Sequence, residues 1–213
     1  MSREAKILIG VLVVVVGGMI GLFALANSGS DGPAPKGSKT VVRADSHKTG
    51  SGSVQLVEFG DYQCPACGAA YPTIKQIMKD FDGKVTLYFR NFPLTQIHQN
   101  AMMAAESAES AGAQGKYWEM HDALYDNQKE WGELSSTDAE TKVLGYAKNL
   151  ELDTDKMKSD IDSEKYKSVI EQDMADGNAL GINSTPTIYV NGTKVADYQY
   201  STIRDAINAA LKK

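Results

Sequence analysis

Three hydrophobic patterns divide the chain. Residues 7–26 are uncharged and largely apolar over about twenty positions, enough helix at about 1.5 Å per residue to cross a hydrocarbon core roughly 30 Å thick. Residues 27–53 are rich in Gly, Ser, Lys, Asp and Pro without an apolar period, and read as a flexible tether spanning on the order of 30 Å root-mean-square. From residue 54 onward, strand-length runs and helical spacing take over. Val54-Gln55-Leu56-Val57 reads as a short buried strand, 68–78 as a helix, and 84–90, after the turn Phe81-Asp82-Gly83, as a second strand. This β-α-β order predicts a parallel pair with a right-handed crossover.

Between 99 and 180 no good strand follows. Helix formers at helical spacing occupy 100–106, 116–125, 138–150 and 165–180, and Asp153-Thr154-Asp155-Lys156 reads as the cap of one more short helix. Strand character returns at 187–190; Asn191-Gly192 before 193–196 is a hairpin signal, and an amphipathic helix over 201–211 closes the chain. The sum predicts an α/β domain over 54–213, interrupted by a helical insertion at about 98–181.

The termini suggest a compartment. Arg3 and Lys6 flank the apolar stretch, which places the short N-terminus in the cytoplasm and everything after residue 26 outside it. Lys36, Lys39 and Arg43 weaken this asymmetry without reversing it. Ala24-Leu25-Ala26 offers a signal-peptidase pattern, but the apolar regions of signal peptides run about 7–15 residues, so the length favours a retained single-pass membrane anchor. The expected localisation is the cell membrane, with the domain extracytoplasmic, where disulfides persist. A net charge of −5 leaves no basic surface for nucleic acid.

The chain holds two cysteines, Cys64 and Cys67, too few for a multi-disulfide scaffold. They fall where the first strand turns into the helix, so unpaired N–H groups and the positive end of the helix dipole favour a thiolate there. Such a pair can clip a metal, staple a loop or carry electrons. A zinc site wants four ligands, and His47, His98 and His121 are not spaced to supply the rest. As a staple it closes a very small loop, where the entropic gain is least. The redox reading is the strongest of the three, with no metal expected.

Glu-Phe-Gly-Asp-Tyr-Gln (58–63) before Cys64-Pro65-Ala66-Cys67 resembles the DsbA-like branch of the thioredoxin superfamily. So do Arg90-Asn91-Phe92-Pro93-Leu94 and Gly181-Ile182-Asn183-Ser184-Thr185-Pro186-Thr187. The resemblance runs from 54 to the C-terminus, and membrane-tethered members are similar in layout. It implies a thioredoxin-like fold with an inserted all-helical subdomain. It implies that Cys64 forms the mixed disulfide with substrate and Cys67 resolves it. The redox-active Cys64–Cys67 disulfide would take the place of a cofactor. Pro186 would be a cis-proline facing the disulfide, although cis is only about 5–6% of X–Pro bonds, with Thr185 before it turned toward a bound peptide.

Glu58 has two readings, an exposed edge position or, as the resemblance implies, a buried carboxyl exchanging a proton with Cys67. Ala66 stands where many relatives have a thiolate-stabilising histidine, which predicts a milder oxidant. The implied partners are reduced, unfolded secreted proteins and a quinone-linked membrane reoxidase. A reductase or isomerase using the same pair is the nearest alternative, and a chaperone or metal carrier the alternative of another class. His98 reads as a cap or packing residue, His121 as helix surface or core, and Met102, Met103, Met120 and Met174 mainly as core. The glycosylation patterns at Asn183 and Asn191 read as chance.

Overall fold

The computed structural model describes residues 41–212. The expected anchor at 7–26 and the tether up to residue 40 lie outside the described residues. Among the described residues, no helix is long and apolar enough to cross a membrane.

Five strands among these residues form one sheet: β1 (His47–Gly50), β2 (Val54–Gly60), β3 (Val85–Asn91), β4 (Thr187–Val190) and β5 (Thr193–Lys194), in the order β1-β3-β2-β4-β5. β2 and β3 run parallel, Val54 opposite Val85 through Gly60 opposite Asn91, and the other neighbours are antiparallel. The alternation along β2 sorts its side chains between two faces. Val54 and Leu56 pack on Ile74, Ile77, Ile203 and Ile207, whereas Val57 and Phe59 face Phe92, Ile182 and Tyr189. Each such aliphatic side chain contributes roughly 1.5–3 kcal/mol through burial. Glu58 and Gly60 fall on the Leu56 face by the same alternation.

β1 corrects the boundary of the tether, which the sequence carries to residue 53. His47–Gly50 is an edge strand paired with β3, and Val41 and Val42 pack against the Phe59 cluster. The stretch lacks an apolar period because tertiary partners outside it hold it: His47 stacks on Tyr117 at 3.5 Å, its Nε2 meets Glu109 Oε2 at 2.8 Å, and Trp118 donates to the Lys48 carbonyl at 2.9 Å. At the far edge, the Asn191-Gly192 turn uses positive φ at both residues (45° and 78°), as the hairpin signal requires.

Helix α1 (Pro65–Asp80) starts on Cys64 as N-cap with Pro65 in its first turn, where the missing proline N–H leaves nothing unsatisfied. Cys67, Ala70, Tyr71, Ile74 and Ile77 form its buried stripe. Six helices lie between β3 and β4: α2 (Ala101–Gly112), α3 (Tyr117–Asp126), α4 (Gln128–Trp131), α5 (Ser136–Asn149), α6 (Thr154–Asp162) and α7 (Lys167–Ala179). Small buried residues of α2, among them Ala104, Ser107, Ala108 and Ala111, let α3, α5, α6 and α7 all pack against it. Asp153 caps α6 by accepting from the Lys156 N–H at 2.9 Å, as its pattern predicts. Helix α8 (Tyr200–Ala210) covers the Leu56 face beside α1.

A buried charge cluster fastens α7 to the sheet. Arg90, fully buried on β3, donates to Asp173 Oδ1 (2.6 Å), Asp176 Oδ2 (2.7 Å) and the Val41 carbonyl (2.9 Å). Burial still raises the Asp173 carboxyl to about 6, against the pull of Arg90. Removing one side of such a cluster strands buried charge. Arg90→Met is therefore expected to lose about 3–5 kcal/mol of stability, read as a lower urea midpoint; an unchanged midpoint would refute this account of the cluster.

Candidate active site

The turn between β2 and α1 is built around Asp61, which is 1% exposed. Its Oδ1 accepts the Gln63 N–H at 2.8 Å, an Asx turn. Its Oδ2 accepts the Leu94 N–H at 2.9 Å and lies 2.7 Å from His98 Nδ1. The insertion grips the same turn. Gln63 donates to the Gly132 carbonyl at 2.6 Å and accepts the Asn100 N–H at 2.6 Å. Gln128 Nε2 donates to the carbonyls of Tyr62 (2.8 Å) and Cys64 (2.9 Å).

This frame sets the two sulfurs in different surroundings. Cys64 keeps 7% exposure and Cys67 none, so the cysteine expected to be open is the less covered of two buried ones. Both are free thiols. Across from Cys64 lies the loop before β4, in which the Thr185–Pro186 bond is cis; as a thiol, Cys64 Sγ donates to the Thr185 carbonyl at 3.4 Å. That contact favours the thiol, but other donors outweigh it. The Cys67 thiol contributes most, followed by the Thr185 side chain and the N–H groups of Cys67 and Ala66, and against the effect of burial they bring Cys64 down to about 5. The Thr185 hydroxyl is buried with no other hydrogen-bond partner among the described residues, so its proton is available to the sulfur. Burial pushes Cys67 the other way, well above the usual thiol range, and Cys64 and Glu58 reinforce this.

Glu58 is no edge residue. β2 is the middle strand, with Glu58 between Phe89 and Ile188, and it is 2% exposed. Burial, and then the nearby Cys64 charge, raise its carboxyl to about 8. Oε1 has no hydrogen-bond partner among the described residues. Beside it Phe89, Tyr62, Tyr71, Tyr125 and His121 form an aromatic wall, with Tyr62 and Tyr125 centroids 5.1 Å apart. His121 thus belongs to the core, and burial lowers its pKa. Met120 is also core, whereas Met174 lines a surface groove with Phe92 and Ile97. Among the described residues no cluster of three or more His, Cys, Asp or Glu is placed to hold a metal.

The structure therefore brings Cys64, Cys67, Pro65, Ala66, Thr185 and Pro186 together at one end of β2, with Glu58 raised by the Cys64 charge and itself raising Cys67. The sequence reading missed Asp61, Gln63 and Gln128 as supports. Asp61 had a local signal, an Asx turn two residues ahead of the N–H it captures. Gln128, 64 residues from the carbonyl of Cys64 that it holds, had none.

A family model described as Thioredoxin matches residues 49–209. A Bacillus anthracis protein named "Probable disulfide bond formation protein D" is 29% identical over 213 residues, which covers 97% of this chain and 95% of that one. The crystal structure of BdbD from Bacillus subtilis, oxidised, superposes with a TM-score of 0.73 at 27% identity, covering 85% of this chain and 100% of that one. A Na(+)/H(+) antiporter NhaA 1 of Salinispora arenicola is 36% identical over 159 residues, 74% of this chain but 23% of the antiporter; the chain thus spans about a quarter of that curated relative's length. The chain belongs to the thioredoxin family.

Proposed function

We propose that this protein is an extracytoplasmic oxidase, which introduces disulfides into secreted or surface proteins through the Cys64–Cys67 pair. The observation that carries the reading is the asymmetry of the pair: Cys64 drawn down to about 5 beside the Thr185 loop, Cys67 buried and pushed up. Stabilising one thiolate stabilises the dithiol, and a stabilised dithiol makes its disulfide an oxidant. The name of the Bacillus anthracis relative points in the same direction.

A substrate thiolate attacks Cys64 Sγ of the disulfide. The Cys64–Cys67 bond breaks as the substrate–Cys64 bond forms, and Cys67 leaves as a thiolate. Because Glu58 is raised to about 8, it is protonated at neutral pH and supplies the proton Cys67 needs. A second substrate thiolate then attacks the substrate sulfur of the mixed disulfide and Cys64 departs as a thiolate. Two electrons have passed to the pair and one disulfide to the substrate, with no further cofactor. A quinone-linked membrane protein would take those electrons back, and a membrane anchor at 7–26 would hold the domain beside it.

Equilibration with glutathione tests the direction. An oxidase gives a Cys64–Cys67 potential well above the roughly −270 mV of a reducing thioredoxin, and a value at or below that figure makes the protein a reductase instead. In the reduced protein the thiolate absorbance is expected to be nearly full at pH 7 and to fall through a midpoint near 5. A midpoint near the ordinary 9 would remove the basis for the oxidase.

A further inference from the structure

Ala66 offers the Cys64 sulfur no side-chain donor, yet the N–H groups of Ala66 and Cys67 act on that sulfur, which requires the first turn of α1 to be aimed well. At the start of the helix Cys64, the N-cap, makes no side-chain capping bond among the described residues, and its carbonyl accepts the Gly68 N–H at 3.1 Å. Its carbonyl and that of Tyr62 share one amide group from the insertion. A side-chain amide has two N–H protons, and on Gln128 both are used, at 2.8 and 2.9 Å. Using both protons fixes the plane of the amide. Its oxygen then lies over Gly68, where a Cβ would come within 2.3 Å of Oε1 and 2.9 Å of Cδ. Glycine at 68 thus leaves room for this approach. Gln128 is itself held in place. It opens α4, whose Trp131 is fully buried and donates to the Leu124 carbonyl at 2.9 Å. Beyond the end of α4, the Gly132 carbonyl takes the Gln63 amide at 2.6 Å.

We propose that Gln128 is a positioning residue for the Cys64 sulfur: its amide fixes the Tyr62 and Cys64 carbonyls so that the first N–H groups of α1 face Sγ. The insertion thereby does from outside the motif part of what a donor side chain at position 66 would do from within. The donor protons on the Cys64 carbonyl also place partial positive charge close to the thiolate. This inference rests on Cys64 being the reactive sulfur.

The full chain is reduced, the Cys64 thiolate is followed by ultraviolet absorbance against pH, and the pair is equilibrated with glutathione. The proteins compared are the parent, Gln128→Leu, Gln128→Glu, Gly68→Ala and Cys64→Ser. Gln128→Leu is expected to raise the thiolate midpoint by roughly 0.5 to 1 pH and to weaken the pair as an oxidant about three- to tenfold. Gln128→Glu raises it further, since a carboxylate has no proton for either carbonyl and sets a negative charge nearby. Gly68→Ala displaces the amide from its other side while favouring helix over glycine, so it decides the matter if the Gln128 variants do not fold. Because the readouts are a titration and an equilibrium constant, a residue that merely packs would leave them unmoved. Parent-like midpoints and constants in Gln128→Leu and Gly68→Ala overturn the proposal. In Cys64→Ser, lost exchange supports the premise, whereas retained exchange shows that the assignment of Cys64 itself fails and takes the role of Gln128 with it.

Discussion

Given oxidised glutathione, which first forms a mixed disulfide with Cys64 and is then displaced as glutathione thiolate by a substrate thiol, Cys67→Ala accumulates covalent complexes joined through Cys64, and Cys64→Ser accumulates none. In both variants turnover falls by roughly a thousandfold or more. The trap follows from the placement of the two sulfurs. Cys64 meets the substrate beside Thr185, and Cys67, fully buried one helical turn into α1, is the thiol that can attack Cys64 and free a substrate whose own second thiol is out of reach. Well-oriented intramolecular attack has an effective molarity on the order of 10⁵ M and above, so without Cys67 the mixed disulfide waits for a thiol from solution. The same substitution removes the largest single contribution to the Cys64 thiolate. The Cys64 midpoint in Cys67→Ala is therefore expected to rise above about 5, and trapping is best run near pH 8. Non-reducing electrophoresis with mass spectrometry reads the result. Complexes of equal abundance in Cys64→Ser would show that the adducts form elsewhere.

Glu58→Gln changes both stability and rate, each with a defined dependence on pH. Burial moves this carboxyl from 4.5 to about 8, so between those values the folded protein keeps a proton that the unfolded chain releases. A raised pKa gives stability that is fully present below 4.5 and lost as pH rises through 8. The slope is about 1.4 kcal/mol per pH unit, on the order of 4 kcal/mol across the window. Glutamine does not titrate, so the variant keeps its stability between pH 5 and pH 9 while the parent loses it. The oxidised protein is the right sample, because in the reduced protein Cys64 acts oppositely; with no Cys64 charge there, burial alone raises Glu58, so the loss in the oxidised parent is complete below pH 8. Its lowered pKa gives stability present at high pH and lost as pH falls through about 5. In the exchange reaction, a glutamine cannot hand Cys67 its proton, and the rate is expected to drop roughly tenfold or more, without the limb near pH 8. Parallel denaturation profiles for parent and variant across pH 5–9 would rule out a buried, titrating Glu58.

The roles of these residues were legible to different degrees before folding is considered. The β2 run, the cysteine turn, α1 and the Asn191-Gly192 hairpin are local in origin: residue type and spacing within a few positions decide them, and they fall where the spacing places them. Glu58 was ambiguous because a carboxylate in an apolar run fits either an edge strand or the middle of a sheet. Strand order resolved it, since β3 and β4 flank β2 on both sides, and that pairing joins segments far apart in sequence. β1 was lost in the polar composition of 41–53 for a similar reason. It is a strand because β3, Tyr117, Glu109 and Trp118 make it one.

By itself, then, the sequence determined the chemistry available: two cysteines at a helix start, one proline loop to face them, and no histidine between them. Tertiary structure alone decided how that chemistry is poised. Desolvation, strand order and the approach of Thr185, 121 residues from Cys64, help set the Cys64 thiolate low, Cys67 high and Glu58 protonated. Those are properties of distance and burial in the folded chain, which no local pattern encodes.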